Sequence, residues 1–391
     1  MIHQRKYRNI LLFILITAFG IFTVSCGPKA RKPVGEMDTP AHHTYVGMKL
    51  LDQGKYAEAA REFDLALQLD RNYGQAHAGL GLAKAYQGDF KAAFEAMKLA
   101  KRHAVSKEDK IAAHVGFIRL YTMNRAADKG WLDNVKDEYG GALQIDPQAP
   151  ALYYFTGRAY KEALDFAQAG QMFAKVLELK GEYVNEADTE WNLVQKIQRA
   201  MPGTIAGKKI AIMERITRAD AAALFMEELR IDVLYKKRTL KTFDTDFKDP
   251  EKAKAASAAA APTATDIADH PLKVDIEQCL KIGVRGLENY PDGTFRPSEL
   301  VDRATYAMMV EDILIKVTGD NALATKFIGT TSPFPDLRSD LPYFNAVMVV
   351  TSRGIMGPLD MTTGEFAPLK PVPGVDALLI IRKIREELKF F

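Results

Sequence analysis

Residues 288–307 read ENYPDGTFRPSELVDRATYA. A tight turn, an aromatic ring, an arginine and two prolines stand in front of an apolar run with helical spacing. Pro291 presets φ for the first inner position of a turn that Asp292 and Gly293 can complete. Pro297 disfavours the α region for the residue before it, so Thr294, Phe295 and Arg296 are expected to be extended. Asp302 is a good N-cap, which starts a helix at Arg303 with Ala304, Ala307, Met308 and Ile313 on its buried stripe. A shorter helix over residues 274–282 supplies the other half of the unit. Arg303 is the odd member. A cation in the first turn faces the positive end of the macrodipole, at a cost of about 0.3–1 kcal/mol when exposed. Either nearby groups offset that cost or the arginine serves a ligand.

The residues Tyr290, Asp292, Gly293, Thr294, Phe295, Arg296, Pro297, Arg303 and Ala304 resemble the S-layer homology (SLH) motif. That family carries an aromatic-Asp-Gly-Thr-Phe-Arg-Pro loop before a Thr-Arg-Ala-Glu-like helix start, usually in three copies. A second copy is expected upstream at ITRADAAALFMEEL (216–229), with Thr217 as N-cap and Arg218 in the place of Arg303. The loop phrase is missing there; TIAGKKIAIME (204–214) stands in its place, and the first helix is expected at 190–200. A third copy follows SPFPDL (332–337), with a helix through LPYFNAVMVVTSRGI (341–355), a loop TGEFAPLKP (363–371) and Gly374 instead of the arginine. The copies are bounded at 188–231, 266–318 and 332–391, within a region 188–391. An alanine- and lysine-rich insert at about 240–265 separates the first two and reads as flexible.

The resemblance implies a pseudo-threefold helical domain whose grooves bind cell-wall glycan, either peptidoglycan or a wall-linked polysaccharide, without covalent chemistry. It also implies that the helix-start arginines and the turn residues line those grooves. The candidate glycan-binding residues are therefore Arg303, Arg218, Tyr290, Asp292, Gly293, Thr294 and Arg296. The physical reading is compatible, because free N–H groups at a helix start and an arginine fork suit a carboxylate or phosphate. The plainer alternative pairs each arginine with an acid such as Glu299 or Glu214, so that it only organises the loop. Phe295 reads as core, and Gly374 offers a third site neither charge nor reach.

The first half of the chain repeats itself. GKYAEAAREFDLAL (54–67) is echoed by GDFKAAFEAMKLAK (88–101), and Gly47/Gly81, Gly54/Gly88, Ala59/Ala93 and Ala66/Ala100 stand 34 residues apart. Such a period marks stacked helical hairpins, none of which can bury its apolar face alone. Phe63, Tyr56 and Phe90 are expected between hairpins. The pattern resembles the tetratricopeptide (TPR) repeat, with weaker copies ending at ALQIDP (142–147) and spanning 153–176, and an irregular turn at NRAADKGWLD. About four hairpins are expected in the array, assigned to residues 41–187. The resemblance implies a surface for a protein partner that the sequence does not identify.

The ends and the composition bound the rest. Arg5, Lys6 and Arg8 precede the apolar run ILLFILITAFGIFTV (10–24), shorter than the about 20 residues a spanning helix needs and suited to a signal peptide. Thr23-Val24-Ser25-Cys26 resembles the lipobox of bacterial lipoproteins. That resemblance implies a signal peptide over 1–25, acylation of Cys26, a membrane attachment through the lipid and a flexible tether over 26–40. Gly27 after the cysteine points towards the periplasmic face of an outer membrane. Cys279 is then the remaining cysteine and reads as a buried thiol. His42 and His43 have no cysteine or acidic cluster beside them in sequence, so no metal site is expected. With 47% hydrophobic and 26% charged residues and a formal charge of +3, the chain suits folded domains and carries no basic footprint for nucleic acid. No GxxxxGK[ST], HExxH or GxSxG phrase is present. The expected class is mainly α, and the expected role is a non-enzymatic tether or scaffold without a cofactor. Two other roles stay open: an assembly factor for an exported envelope complex, in which the SLH copies are structural only, and a glycan-cutting enzyme using a carboxylate pair.

Overall fold

The computed structural model describes residues 30–238 and 263–388, so Cys26, the signal peptide and nearly all of the insert lie outside the described residues. The described chain is mainly helical and contains no strands, only isolated β-bridges at Thr217–Leu300 and Asp302–Pro371. It forms two compact units that divide between Ala159 and Tyr160. No helix among the described residues is long and apolar enough to cross a membrane.

Unit one holds helices α1 (Pro40–Asp52), α2 (Tyr56–Leu69), α3 (Gly74–Tyr86), α4 (Phe90–His103), α5 (Lys107–Met123) and α6 (Trp131–Ile145). Helix α7 (Pro150–Glu162) runs across the division. The hairpins α1–α2, α3–α4 and α5–α6 follow one another as the period requires. Phe63 on α2 is fully buried because α1 and α3 leave it room at glycines: a methyl at Gly47 would sit 2.6 Å from its ring, and one at Gly79 2.2 Å. Met97, 34 residues on, is held the same way between Gly81 and Gly116. Small residues at a fixed period thus let a large side chain plug each hairpin into the next, and truncating Phe63 would cost about 3–5 kcal/mol. Tyr56 and Phe90 pack partly buried against this core. The irregular third turn is real. Asp128 holds it by accepting from the Gly130 amide and the Asn134 side chain.

One part of the expected tether is not free. Residues 31–38 fold back on α2: the Arg31 amide donates to Gln68 O at 2.7 Å, and the Arg31 guanidinium is bidentate on Asp38.

Unit two contains α8 (Phe166–Leu179) packed along α9 (Val184–Ala200), then α10 (Ile205–Ala211), α11 (Arg218–Ala223, continuing as a π turn over Leu224–Leu229) and α12 (Ile231–Arg238). After the undescribed segment come α13 (Lys273–Ile282), α14 (Arg303–Thr318), α15 (Phe344–Ser352) and α16 (Gly374–Leu388). One expectation needs correction and another is met in part. The TIAGKKIAIME segment is not a loop. The Thr204 hydroxyl caps it by accepting from the Gly207 amide, and Gly207, Ile210 and Ala211 are buried as α10. Helix α10 therefore stands directly before α11. The helix expected at 190–200 is present as the second part of α9, which packs along α8 and also lies against α16.

Candidate functional site

Three helix starts define the heart of unit two. Thr217 caps α11 in a capping box with Asp220, and Asp302 caps α14 through the Thr305 amide at 2.7 Å. Pro373 occupies the corresponding place before α16. The residue ahead of each cap joins a closed ring of backbone hydrogen bonds. Ile216 donates to Val372 O at 2.9 Å, Val372 donates to Val301 O at 3.0 Å, and Val301 donates to Ile216 O at 3.0 Å. Ile216 and Val372 are fully buried and Val301 nearly so, so each amide would be an unpaired polar group if the ring opened.

The ring brings each helix start against a neighbouring loop. The Arg218 amide donates to Glu299 O and the Ala219 amide to Pro297 O; likewise the Arg303 amide donates to Lys370 O and the Ala304 amide to Pro368 O. The first amides of α11 and α14 are thereby spent on the protein itself. The expectation of free N–H groups awaiting an anion is corrected: adjacent loop carbonyls and cap side chains fill that role.

The arginine side chains follow the same route. Arg218 donates from Nε to Phe295 O at 2.9 Å, from Nη1 to Gly286 O and from Nη2 to Glu288 O at 2.8 Å. Its guanidinium lies 4.7 Å from the Phe295 ring centroid and 5.0 Å from that of Tyr290. Arg303 repeats this on the following loop, from Nε to Phe366 O at 2.8 Å and from Nη2 to Gly357 O at 2.6 Å, over the Phe366 ring at 4.6 Å. Both arginines are 6% exposed. Neither pairs with Glu299 or Glu214. Glu299 instead accepts from the Tyr290 hydroxyl at 2.8 Å. The unfavourable place of Arg303 is thus offset by carbonyl dipoles and a ring face one loop away. Burial draws its pKa down, while the Asp376 and Asp336 charges pull it back up. Among the described residues no protein acceptor meets Arg303 Nη1, whereas every nitrogen of the Arg218 guanidinium is engaged.

The loop gripped by Arg218 folds as its turn residues dictate. The Gly293 amide donates to Tyr290 O at 2.9 Å, and Gly293 takes φ +79°. Asp292 accepts from the Thr294 hydroxyl and amide and from Arg296 Nη2. Arg296 is not extended as Pro297 led us to expect; its φ is +56°. The cause is an acid that sequence reasoning missed. The two oxygens of Asp266 accept from the Phe295 and Arg296 amides, both at 2.8 Å, and two consecutive amides aimed at one carboxylate turn the chain. Asp336 does the same to the Phe366 and Ala367 amides, and Ala367 has φ +55°. The available signal was an Asp 29 to 31 residues ahead of the amides it holds, in TATD and in SPFPDL.

The candidate residues therefore separate into two groups. Arg218 and Arg303 sit behind the loops with Phe295, which is fully buried. Tyr290, Asp292, Gly293, Thr294 and Arg296 stand on the outer side, with the Arg296 and Asp292 side chains about half exposed at 49% and 51%. Arg296 lies over the Tyr290 ring at 3.9 Å. The third arginine position is filled rather than vacant. Gly374 donates to Met213 O at 2.9 Å, and a methyl on it would lie 1.7 Å from Ile210 O. The end of α10 occupies that space.

Among the described residues no group of three or more His, Cys, Asp and Glu side chains could hold a metal ion. Cys279 is fully buried and free, with its thiol pushed up to about 12 by burial. No curated protein matches the chain. Among protein families, the S-layer homology domain matches residues 287–307, the stretch from the loop held by Arg218 to the first turn of α14.

Proposed function

We propose that this chain is a non-enzymatic cell-envelope protein that holds a wall glycan at its SLH loop, recruits a protein at its helical hairpins and is anchored by lipid at Cys26. The family match over residues 287–307 carries the reading, because SLH segments point to attachment at the cell wall. The geometry supports it in a specific form. Arg218 and Asp266 fix the loop from behind, so Tyr290, Asp292, Gly293, Thr294 and Arg296 present a preorganised polar edge. A preorganised edge loses little conformational entropy on binding. On this reading Arg296 is the cation that meets the glycan. Arg303 adds its open nitrogen at the neighbouring loop, and Arg218 positions the loop. The closed backbone ring is read as the axis of a pseudo-threefold SLH domain with one shortened copy. The hairpins of unit one, with their 34-residue period, are read as TPR repeats, and the placement on the periplasmic face of an outer membrane follows the lipid reading.

One observation favours the second reading, an assembly factor with structural SLH copies: the helix-start amides and most of the arginine donors are consumed within the protein. Co-sedimentation of the chain from residue 27 with purified peptidoglycan sacculi separates the two. Wall binding that Arg296→Ala abolishes without changing the fold supports the glycan reading. Binding lost when attached polymers are stripped from the sacculi identifies the polymer as ligand. No sedimentation of the intact chain would overturn the tether and favour the assembly factor.

A further inference from the structure

His43 stands in the first turns of α1 with carboxylates at both ring nitrogens. Its Nε2 is 2.9 Å from Asp38 Oδ1, and its Nδ1 is 2.7 Å from Glu62 Oε2. Carboxylates only accept, so both contacts are hydrogen bonds only when each nitrogen carries a proton, which is the imidazolium form. Asp38 belongs to the segment ahead of α1 and Glu62 to α2, so the ring joins three pieces of chain. Asp38 also accepts from the Arg31 guanidinium at 2.6 and 2.7 Å and from the Val34 amide at 2.7 Å. Arg31 Nε is buried without a partner, while the Arg31 amide ties the far end of the segment to Gln68 O.

We propose that His43 is the proton-controlled pin of a latch that holds residues 31–38 against the first hairpin, closed while the imidazole is charged and loosened when it is neutral. Neutral imidazole can donate to one carboxylate and must turn a lone pair towards the other. The groups around it are Asp38 from the segment, Glu62 from α2 and the His42 ring at 6.0 Å on its own helix. No charged group of α3, which also packs against α1, bonds to it among the described residues. Burial draws the His43 pKa down, but the hydrogen bonds to Glu62 and Asp38 together with the charges of both carboxylates leave the value above the ordinary one. A histidine raised in the folded state stabilises fully below its ordinary pKa and loses that stabilisation as pH rises through the folded value. The latch is therefore closed below the ordinary histidine pKa and loosens as pH rises through the higher folded value. At ~3.3 Å per extended residue, released residues 31–38 can span up to roughly 25 Å between the preceding chain and α1. The proposal does not depend on the glycan reading.

Hydrogen exchange of the full chain in detergent micelles, read as protection factors between pH 5.5 and 8.5, tests it. Protection in residues 31–39 should fall about tenfold with rising pH, the loss of one charge-assisted hydrogen bond, while α2 stays constant. His43→Gln should give the low value throughout with no step, and Glu62→Gln should move the step to lower pH. Protection that is flat across the range, or a step that survives in His43→Gln, would overturn the latch. If a variant loses the hairpin, seen as lost protection in α1 and α2, the native chain's step against a constant α2 still decides.

Discussion

Gly374 opens α16 at the place that Arg218 and Arg303 hold in α11 and α14. Two copies fit an arginine there, and the third cannot fit a methyl. In Gly374→Ala the new carbon would lie 1.7 Å from Ile210 O and 2.7 Å from Ile210 C, both backbone atoms of α10. No rotamer change relieves a clash with backbone, so α10 or α16 must shift. That shift strains the Gly374–Met213 bond and, next to it, the Ile216–Val372 link of the ring. Overpacking costs about 1–3 kcal/mol, and one weakened backbone hydrogen bond adds about 0.5–1.5 kcal/mol. The helical preference for alanine over glycine offsets at most about 1 kcal/mol. With the full offset the balance is a loss of roughly 0.5–3.5 kcal/mol, or a fall of about 1–14 °C in the Tm of a unit this size. Scanning calorimetry should show the unit-two transition moving down while the unit-one transition stays. An unchanged or raised unit-two transition would refute the argument that the end of α10 selects glycine at this position.

Further outcomes follow from the clamps and the buried groups. Arg218→Met removes three donors to carbonyls and Arg303→Met two, so urea unfolding of unit two should show the larger loss, at least about 2 kcal/mol, for Arg218→Met; equal losses would contradict the bond assignment. Cys279, with its thiol at about 12, should stay unreactive to a thiol reagent at pH 8 until urea unfolds unit two, and rapid labelling of the native chain would speak against its burial. The Thr294 hydroxyl and amide, then Arg296, draw Asp292 down to about 2. A depressed carboxyl stabilises above its ordinary pKa and loses that as pH falls through the folded value. The Gly293 and Thr294 amide resonances should therefore hold from pH 7 to 4 and move only in stronger acid, and movement already at pH 4 would show the turn is not held by Asp292.

The local features of the candidate site were legible because they depend on near neighbours. Pro291, Asp292 and Gly293 make the turn, Asp302 caps α14 at the expected residue, and α13 covers the expected stretch. The conformation of Arg296 was not legible. The rule for a residue before proline excludes one region but does not say which other is taken, and Asp266, 30 residues earlier, decides it. Helix α10 was misread because seven residues give too few turns for a period to show.

The sequence by itself determined the helical class, the 34-residue hairpin period and the start of α14, since side-chain periodicity and capping act over one or two turns. Tertiary structure alone decided that the arginines grip the next loop, that Ile216, Val301 and Val372 close a ring, and that α10 fills the third arginine's place. Those contacts join residues far apart in the chain, and their donors and acceptors are mostly backbone groups, which every residue carries and no residue letter distinguishes.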